Sequence, residues 1–256
     1  MSDHVETTNA GGVLRLRLAR PERRNAITVA MYRALAEAVE GAAGDPSVRV
    51  IVITGAGDDF TAGNDLADFL QAMPAPGSGE DIPVWRFLRA LANNPVPLVA
   101  AVQGNAVGIG TTLLLHCDLV LVEEGARLIM PFVDLGLVPE AASSLILPRL
   151  AGRRAAARHL LLGEAIDAQR ALELGIASHV APVGELGASL DRVVAALLAK
   201  PAEALRLTQA LLRRGERDAV LERMELENGH FAERLTSEEV RQAITAFFAA
   251  RAAKNG

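Results

Sequence analysis

An α/β fold is what this sequence predicts, and three observations predict it. Apolar, β-branched runs recur at Val48 to Thr54 (VRVIVIT), Leu98 to Val102 and Leu119 to Val122, the signature of buried strands. Helical patterns separate these runs, which implies parallel pairing through crossovers. From about Arg153 alanine-rich helical patterns take over the chain.

The elements follow in order. Val13 to Leu18 alternates apolar residues with arginine, as a half-buried strand does. Thr28 is placed to cap a helix carrying Met31, Leu35 and Val39 on one face. The second strand ends at Gly55 and the third at Gly104. Met73 to Asp81 is rich in proline and glycine and is expected to be a mobile loop. Gly163, Gly175 and Pro201 interrupt the later helices, and the last ~55 residues read as helices alone. Pro201 suits the opening of a new helix. A boundary is therefore expected near Lys200, with a core over residues 1–200 and a helical region over 201–256. No tandem repeat is evident.

Composition narrows the function classes. The chain has 256 residues, enough for one large core or a core with an appendage. Its net charge of −5 favours neither nucleic acid nor an anionic membrane as partner. The single cysteine, Cys117, excludes an internal disulfide and fits a reducing compartment; it reads as a small buried packing residue. The polar start resembles no signal or transit peptide, no apolar run approaches ~18 residues, and Lys254-Asn255-Gly256 is no peroxisomal address. A cytoplasmic protein is expected. The five histidines show no metal-ligand spacing, and no G-x-S-x-G supports a serine hydrolase.

Three segments can carry chemistry. Phe60-Thr61-Ala62-Gly63-Asn64-Asp65-Leu66 follows a strand, and glycine there lets a ligand approach the main chain. A helix starting near Asn64 would offer free N–H groups; a plain strand-to-helix turn is the alternative. Gln103 to Thr112 (QGNAVGIGTT) again joins a strand to an apolar helix, with Gly108 and Gly110 freeing amides for an anion. Two convergent amides are what a thioester enolate requires. In Met130 to Glu140 (MPFVDLGLVPE), Pro139 suits a first helical turn and would put Glu140 in it, as a dipole-complementing acid. Equally, the apolar stretch before Glu140 can desolvate its carboxyl and raise its proton affinity.

Together with RPERRNAIT and LLLGEAIDAQRALELGIASHVAP, these segments resemble the crotonase (enoyl-CoA hydratase/isomerase) superfamily over about residues 13 to 183. The resemblance implies a ββα spiral core with C-terminal helices, an acyl-CoA thioester substrate, no cofactor beyond the coenzyme A of that substrate, and trimers or paired trimers. Hydratases of the family carry two glutamates, at the positions of Thr112 and Phe132 here. Neither residue is an acid. VPEAASS, MPFVDLG, AVGI and NAITVAMY are similar to the peroxisomal-type Δ3,Δ2-enoyl-CoA isomerases, which place one glutamate after a proline. That residue is Glu140, and the oxyanion positions are the backbone N–H groups of Asn64 and Ile109. The resemblance also points to Ala62, Gly63, Asp65, Leu66, Gly108, Gly110 and Phe132 as substrate contacts.

Several residues carry two readings. Asp65 is a helix-start acid or a substrate contact, and Asp134 a solvated turn acid or a neighbour of Glu140. Arg23 and Arg24 suit coenzyme A phosphates or form a generic surface pair. His116 reads as a core helix residue. Trp85, Phe87 and Leu88 line an acyl channel or simply pack. The competing functions are hydratase or another superfamily reaction, and an acyl-CoA-binding module without turnover.

Overall fold

The computed structural model describes residues 4–68 and 82–254, so the expected mobile loop at 73–81 lies outside the described residues. Six strands form the main sheet in the order β1-β2-β3-β4-β6-β9. They are β1 (Val5–Ala10), β2 (Val13–Leu18), β3 (Val50–Gly55), β4 (Leu98–Val102), β6 (Leu119–Glu123) and β9 (His179–Ala181). All neighbours are parallel except the β1–β2 hairpin, whose register pairs Val5 with Leu18. A second sheet holds β5 (Asn105–Val107), β7 (Arg127–Ile129) and β8 (Ile166–Asp167).

The continuous apolar runs are explained by burial on both faces of the sheet. Ile51, Ile53, Leu98, Ala100, Val120 and Val122 join one large core, while Val50, Val52, Val99, Ala101 and Leu121 point into a smaller one. The large core is closed by α1 (Val29–Gly44) and α2 (Pro83–Asn93), and the small one by Leu190 and Val194 of α7 (Leu186–Leu198). Thr28 caps α1 as expected, its side chain accepting from the Met31 amide at 3.2 Å.

One element was missed and one expectation needs correcting. β1 lies in a segment whose sequence shows only polarity: all its residues except Val5 are exposed and it pairs on one side alone, so no apolar alternation marks it. The apolar helix expected after Gly110 is a single turn, α3 (Ile109–Thr112), continued as a 3-10 turn over Leu113–His116. The later helices are α4 (Ser143–Ala151), α5 (Arg153–Leu161), α6 (Ala168–Glu173), α8 (Ala202–Arg213), α9 (Arg217–Leu235) and α10 (Glu238–Lys254). Pro201 stands at the cap position before α8. None of the described helices is long and apolar enough to cross a membrane.

Candidate active site

The C-terminal ends of β3 and β4 bring the two glycine turns together, the place where open α/β sheets bind ligands. Backbone hydrogen bonds from Thr61 N to Asn105 O (3.0 Å) and from Val107 N to Thr61 O (3.0 Å) join the turns. A Cβ on Gly63 would sit 2.6 Å from Val107 O, and one on Gly110 would sit 2.4 Å from the Thr61 methyl. Gly108 is different. Space around it is open, but its φ of +57° and ψ of −117° suit glycine alone. These conformations place the Asn64 and Ile109 amides just past the join, and neither donates a hydrogen bond within the described residues.

Asn25 sews the first loop to this platform. It is buried with a left-handed φ of 54°, which asparagine tolerates better than most residues. Its Nδ2 donates to Ala56 O at 2.7 Å and Asp59 O at 2.8 Å, and its Oδ1 accepts from Arg20 N at 2.9 Å.

Glu140 comes later in the chain, and not in a helix. α4 starts at Ser143, and between them Ala141 (φ 60°) and Ala142 (φ 55°) are both left-handed. Each such non-glycine residue costs roughly 1–2 kcal/mol. The expected first-turn position is therefore a correction: Glu140 lies three residues before the helix starts, ahead of two left-handed residues. His116 Nε2 meets Ala141 O at 2.8 Å. Burial pulls the His116 imidazole down to about 4, so at neutral pH the ring is uncharged and serves as a hydrogen-bond donor there. From α9, Glu227 accepts from the Ala142 amide at 2.6 Å and the Ser144 amide at 3.0 Å.

The carboxyl of Glu140 is buried, and its Oε1 has no hydrogen-bond partner among the described residues. Burial first, and the nearby Glu227 charge second, push it up to about 8. A buried carboxyl with free lone pairs and a proton affinity near neutrality is the equipment of a general acid–base. Tyr32 of α1 connects it to the glycine turns. The buried Tyr32 hydroxyl, raised by burial and by the Glu140 charge, donates a short hydrogen bond to Asn64 Oδ1. The Tyr32 ring packs on Phe87 with centroids 5.9 Å apart. Among the described residues no group of three or more His, Cys, Asp or Glu is placed to hold a metal ion.

A family model described as enoyl-CoA hydratase/isomerase matches residues 8–255. The chain belongs to the enoyl-CoA hydratase/isomerase family. It is 33% identical over 252 residues to the 1,2-epoxyphenylacetyl-CoA isomerase of Escherichia coli K12, covering 97% of this chain and 95% of that protein. It is 33% identical to enoyl-CoA delta isomerase 2 of Rattus norvegicus, over 96% of this chain and 63% of the longer relative. The crystal structure of an enoyl-CoA hydratase/isomerase from Pseudoalteromonas atlantica superimposes with a TM-score of 0.92 at 36% identity, over 97% of this chain and 98% of that one. The mixed α/β architecture is thus the crotonase fold of the family.

Within this family site the other sequence-predicted residues fall as follows. Ala62 and Gly63 lie in the joined turns, the Ala62 amide bonded to Arg24 O at 2.8 Å. Residues 66–68, including Leu66, are helical. Asp65 starts this segment: its Oδ1 accepts from the Asp68 amide at 3.3 Å, and its Oδ2 pairs with Arg20 at 2.6 Å. Partial burial works against its ionisation, yet the Arg20 bond and charge hold it below the usual carboxylate range. Arg23 and Arg24 are exposed at the rim, and Arg24 approaches Asp59 at 3.7 Å. Phe132 is buried. Thr112 is fully buried, with its hydroxyl unpartnered among the described residues. Asp134 is exposed, with its carboxylate against Gly163. Phe87 and Leu88 are fully buried, and Cys117 is half-buried, its thiol raised by burial.

Sequence reasoning missed Tyr32, Glu227 and Asn25. Tyr32 is the single tyrosine of the chain, on the buried face of α1 beside Met31 and Leu35. Glu227 had a signal as well. It falls in the buried stripe Val220, Met224, Glu227, Phe231 of α9, an acid at apolar helical spacing.

Proposed function

We propose that this family member moves the double bond of a 3-enoyl-CoA thioester from C3–C4 to C2–C3, with Glu140 as the sole proton carrier. The observation that carries this reading is the buried Glu140 carboxyl, whose Oε1 has no hydrogen-bond partner among the described residues, together with the identity of positions 112 and 132, which hold threonine and phenylalanine. The Glu140 carboxylate takes a proton from C2. The electrons move into the thioester carbonyl, giving a dienolate whose oxygen is held by the Asn64 and Ile109 amides. The protonated Glu140 then delivers its proton to C4 and the carbonyl re-forms. One acid suffices because no water is added, and atoms balance without a cofactor. Each oxyanion donor contributes roughly 3 kcal/mol to lowering the barrier.

Hydration is the competing activity within the family. It needs a group to activate water and a group to protonate carbon, and of positions 112, 132 and 140 only 140 holds an acid here. Parallel turnover of 3-enoyl-CoA and 2-enoyl-CoA thioesters tests the reading. Isomerisation is expected to exceed hydration by about 10²-fold or more, the usual worth of a positioned acid or base; hydration at a comparable rate overturns it, and binding without turnover of either makes the protein a binding module. A trimer or pair of trimers is proposed as the working form, supported by Leu207, Leu211, Leu212 and Leu226 exposed on α8 and α9. The molar mass in solution, measured by light scattering, checks it.

A further inference from the structure

Resting on the reading of Glu140 as the proton carrier, we infer that Glu227 is a positioning residue. From α9 its carboxylate clamps the left-handed Ala141–Ala142 turn and fixes where the Glu140 carboxyl sits. Both of its oxygens are used: Oε2 accepts from the Ala142 amide at 2.6 Å, and Oε1 from the Ser144 amide at 3.0 Å and the Ser144 hydroxyl at 2.5 Å. Arg223, one helical turn before Glu227, donates to that hydroxyl at 3.1 Å. On the other side His116 holds Ala141 O. The turn is thus gripped at consecutive residues by two side chains distant in sequence.

The clamp is built where it is needed. A left-handed alanine pair has no intrinsic preference for its conformation and relaxes when its restraints go. Glu227 is 5% exposed and lies on the buried stripe of its helix, where an apolar residue would pack as well. An acid there satisfies two amides at the start of α4 and adds a negative charge next to Glu140. Among the described residues, the charged and titratable groups acting on the Glu140 neighbourhood are few. They are Glu227 and Arg223 from α9, neutral Tyr32 from α1, and neutral His116 behind the turn. Removing the Glu227 charge therefore acts on Glu140 in one direction, making it easier to ionise.

The test is Glu227→Gln, followed by two readouts. In steady-state kinetics with a 3-enoyl-CoA ester, kcat is expected to fall by about 10-fold or more with KM nearly unchanged, as for a misplaced catalytic group. The acid limb of kcat/KM is expected to move to lower pH. The second readout needs no turnover. The pH-dependent stability difference made by Glu140→Gln is measured in the native and in the Glu227→Gln backgrounds, and it is expected to shrink in the latter. A folded Glu227→Gln protein with native kcat, an unmoved acid limb and an undiminished difference overturns the inference. Failure of the Glu140 reading shows separately, as full activity of Glu140→Gln alone. If Glu227→Gln does not fold, Ser144→Ala removes one ligand of the same carboxylate from a half-buried position; a several-fold loss in kcat supports the clamp, and unchanged kcat overturns it.

Discussion

Replacing Glu140 by glutamine should stabilise the protein while disabling it, and the two effects should share one titration. Glu140 is held at about 8, against about 4.5 for an unperturbed glutamate. The folded state therefore keeps a proton that the unfolded chain releases, and native stability declines as pH rises through the window between those values. The loss amounts to about 3 kcal/mol at pH 7 and about 5 kcal/mol by pH 9. Glutamine is neutral throughout and resembles the protonated acid in size and polarity, so it escapes this decline. Relative to the native protein, Glu140→Gln should be near neutral at about pH 5 and more stable by several kcal/mol at about pH 9. For a chain of this size that is roughly 10 °C in Tm. Activity has the opposite sign. The base must be ionised, so native kcat/KM should rise with pH up to about 8, and the variant should lose about 10²-fold or more at every pH. The assays are denaturant unfolding of both proteins across this pH range and turnover of a 3-enoyl-CoA ester. A stability difference that stays flat with pH would refute the burial of an uncompensated carboxyl at position 140, whatever the kinetics show.

Other perturbations separate steric from conformational effects at the glycine turns. Gly110→Ala places a Cβ 2.4 Å from the Thr61 methyl and should destabilise the fold by roughly 1–3 kcal/mol in denaturant titration. Gly108→Ala meets open space but a φ of +57°, so it should cost a similar amount through backbone strain and lower kcat by moving the Ile109 amide. Asn64→Ala should harm activity more than a pure backbone role for this residue suggests, because it strips the buried Tyr32 hydroxyl of its acceptor. Tyr32→Phe removes the buried donor and leaves the Asn64 Oδ1, which is only partly buried, open to water, so it should retain more activity than Asn64→Ala; the reverse order in turnover assays would detach Tyr32 from the site. Arg20→Ala breaks the pair with Asp65, whose side chains are only 16% and 20% exposed, and should lower stability by about 1–3 kcal/mol.

The sequence by itself determined the central strands β2, β3, β4 and β6 of the main sheet and the glycine-rich motifs. β-branched runs buried on both faces can be read without knowing their neighbours, because apolar length and composition alone mark a central parallel strand. The glycine turns are local patterns, but taken alone they read equally as plain strand-to-helix turns, and Glu140 stood out only through the family resemblance of the segments around it. β1 was not, since an exposed edge strand needs no apolar alternation. The site's support came from the tertiary structure alone. Glu140 does not sit in a helical turn, because Glu227 and His116, 87 residues after and 24 before it in the chain, hold Ala141 and Ala142 in a conformation that local preference opposes. The Asn64 side chain is engaged by Tyr32 from a helix that precedes it by three decades of sequence. Proton affinity was beyond the sequence for the same reason. A carboxyl's pKa is set by the water it loses and the charges that approach it, and both are supplied here by segments far along the chain.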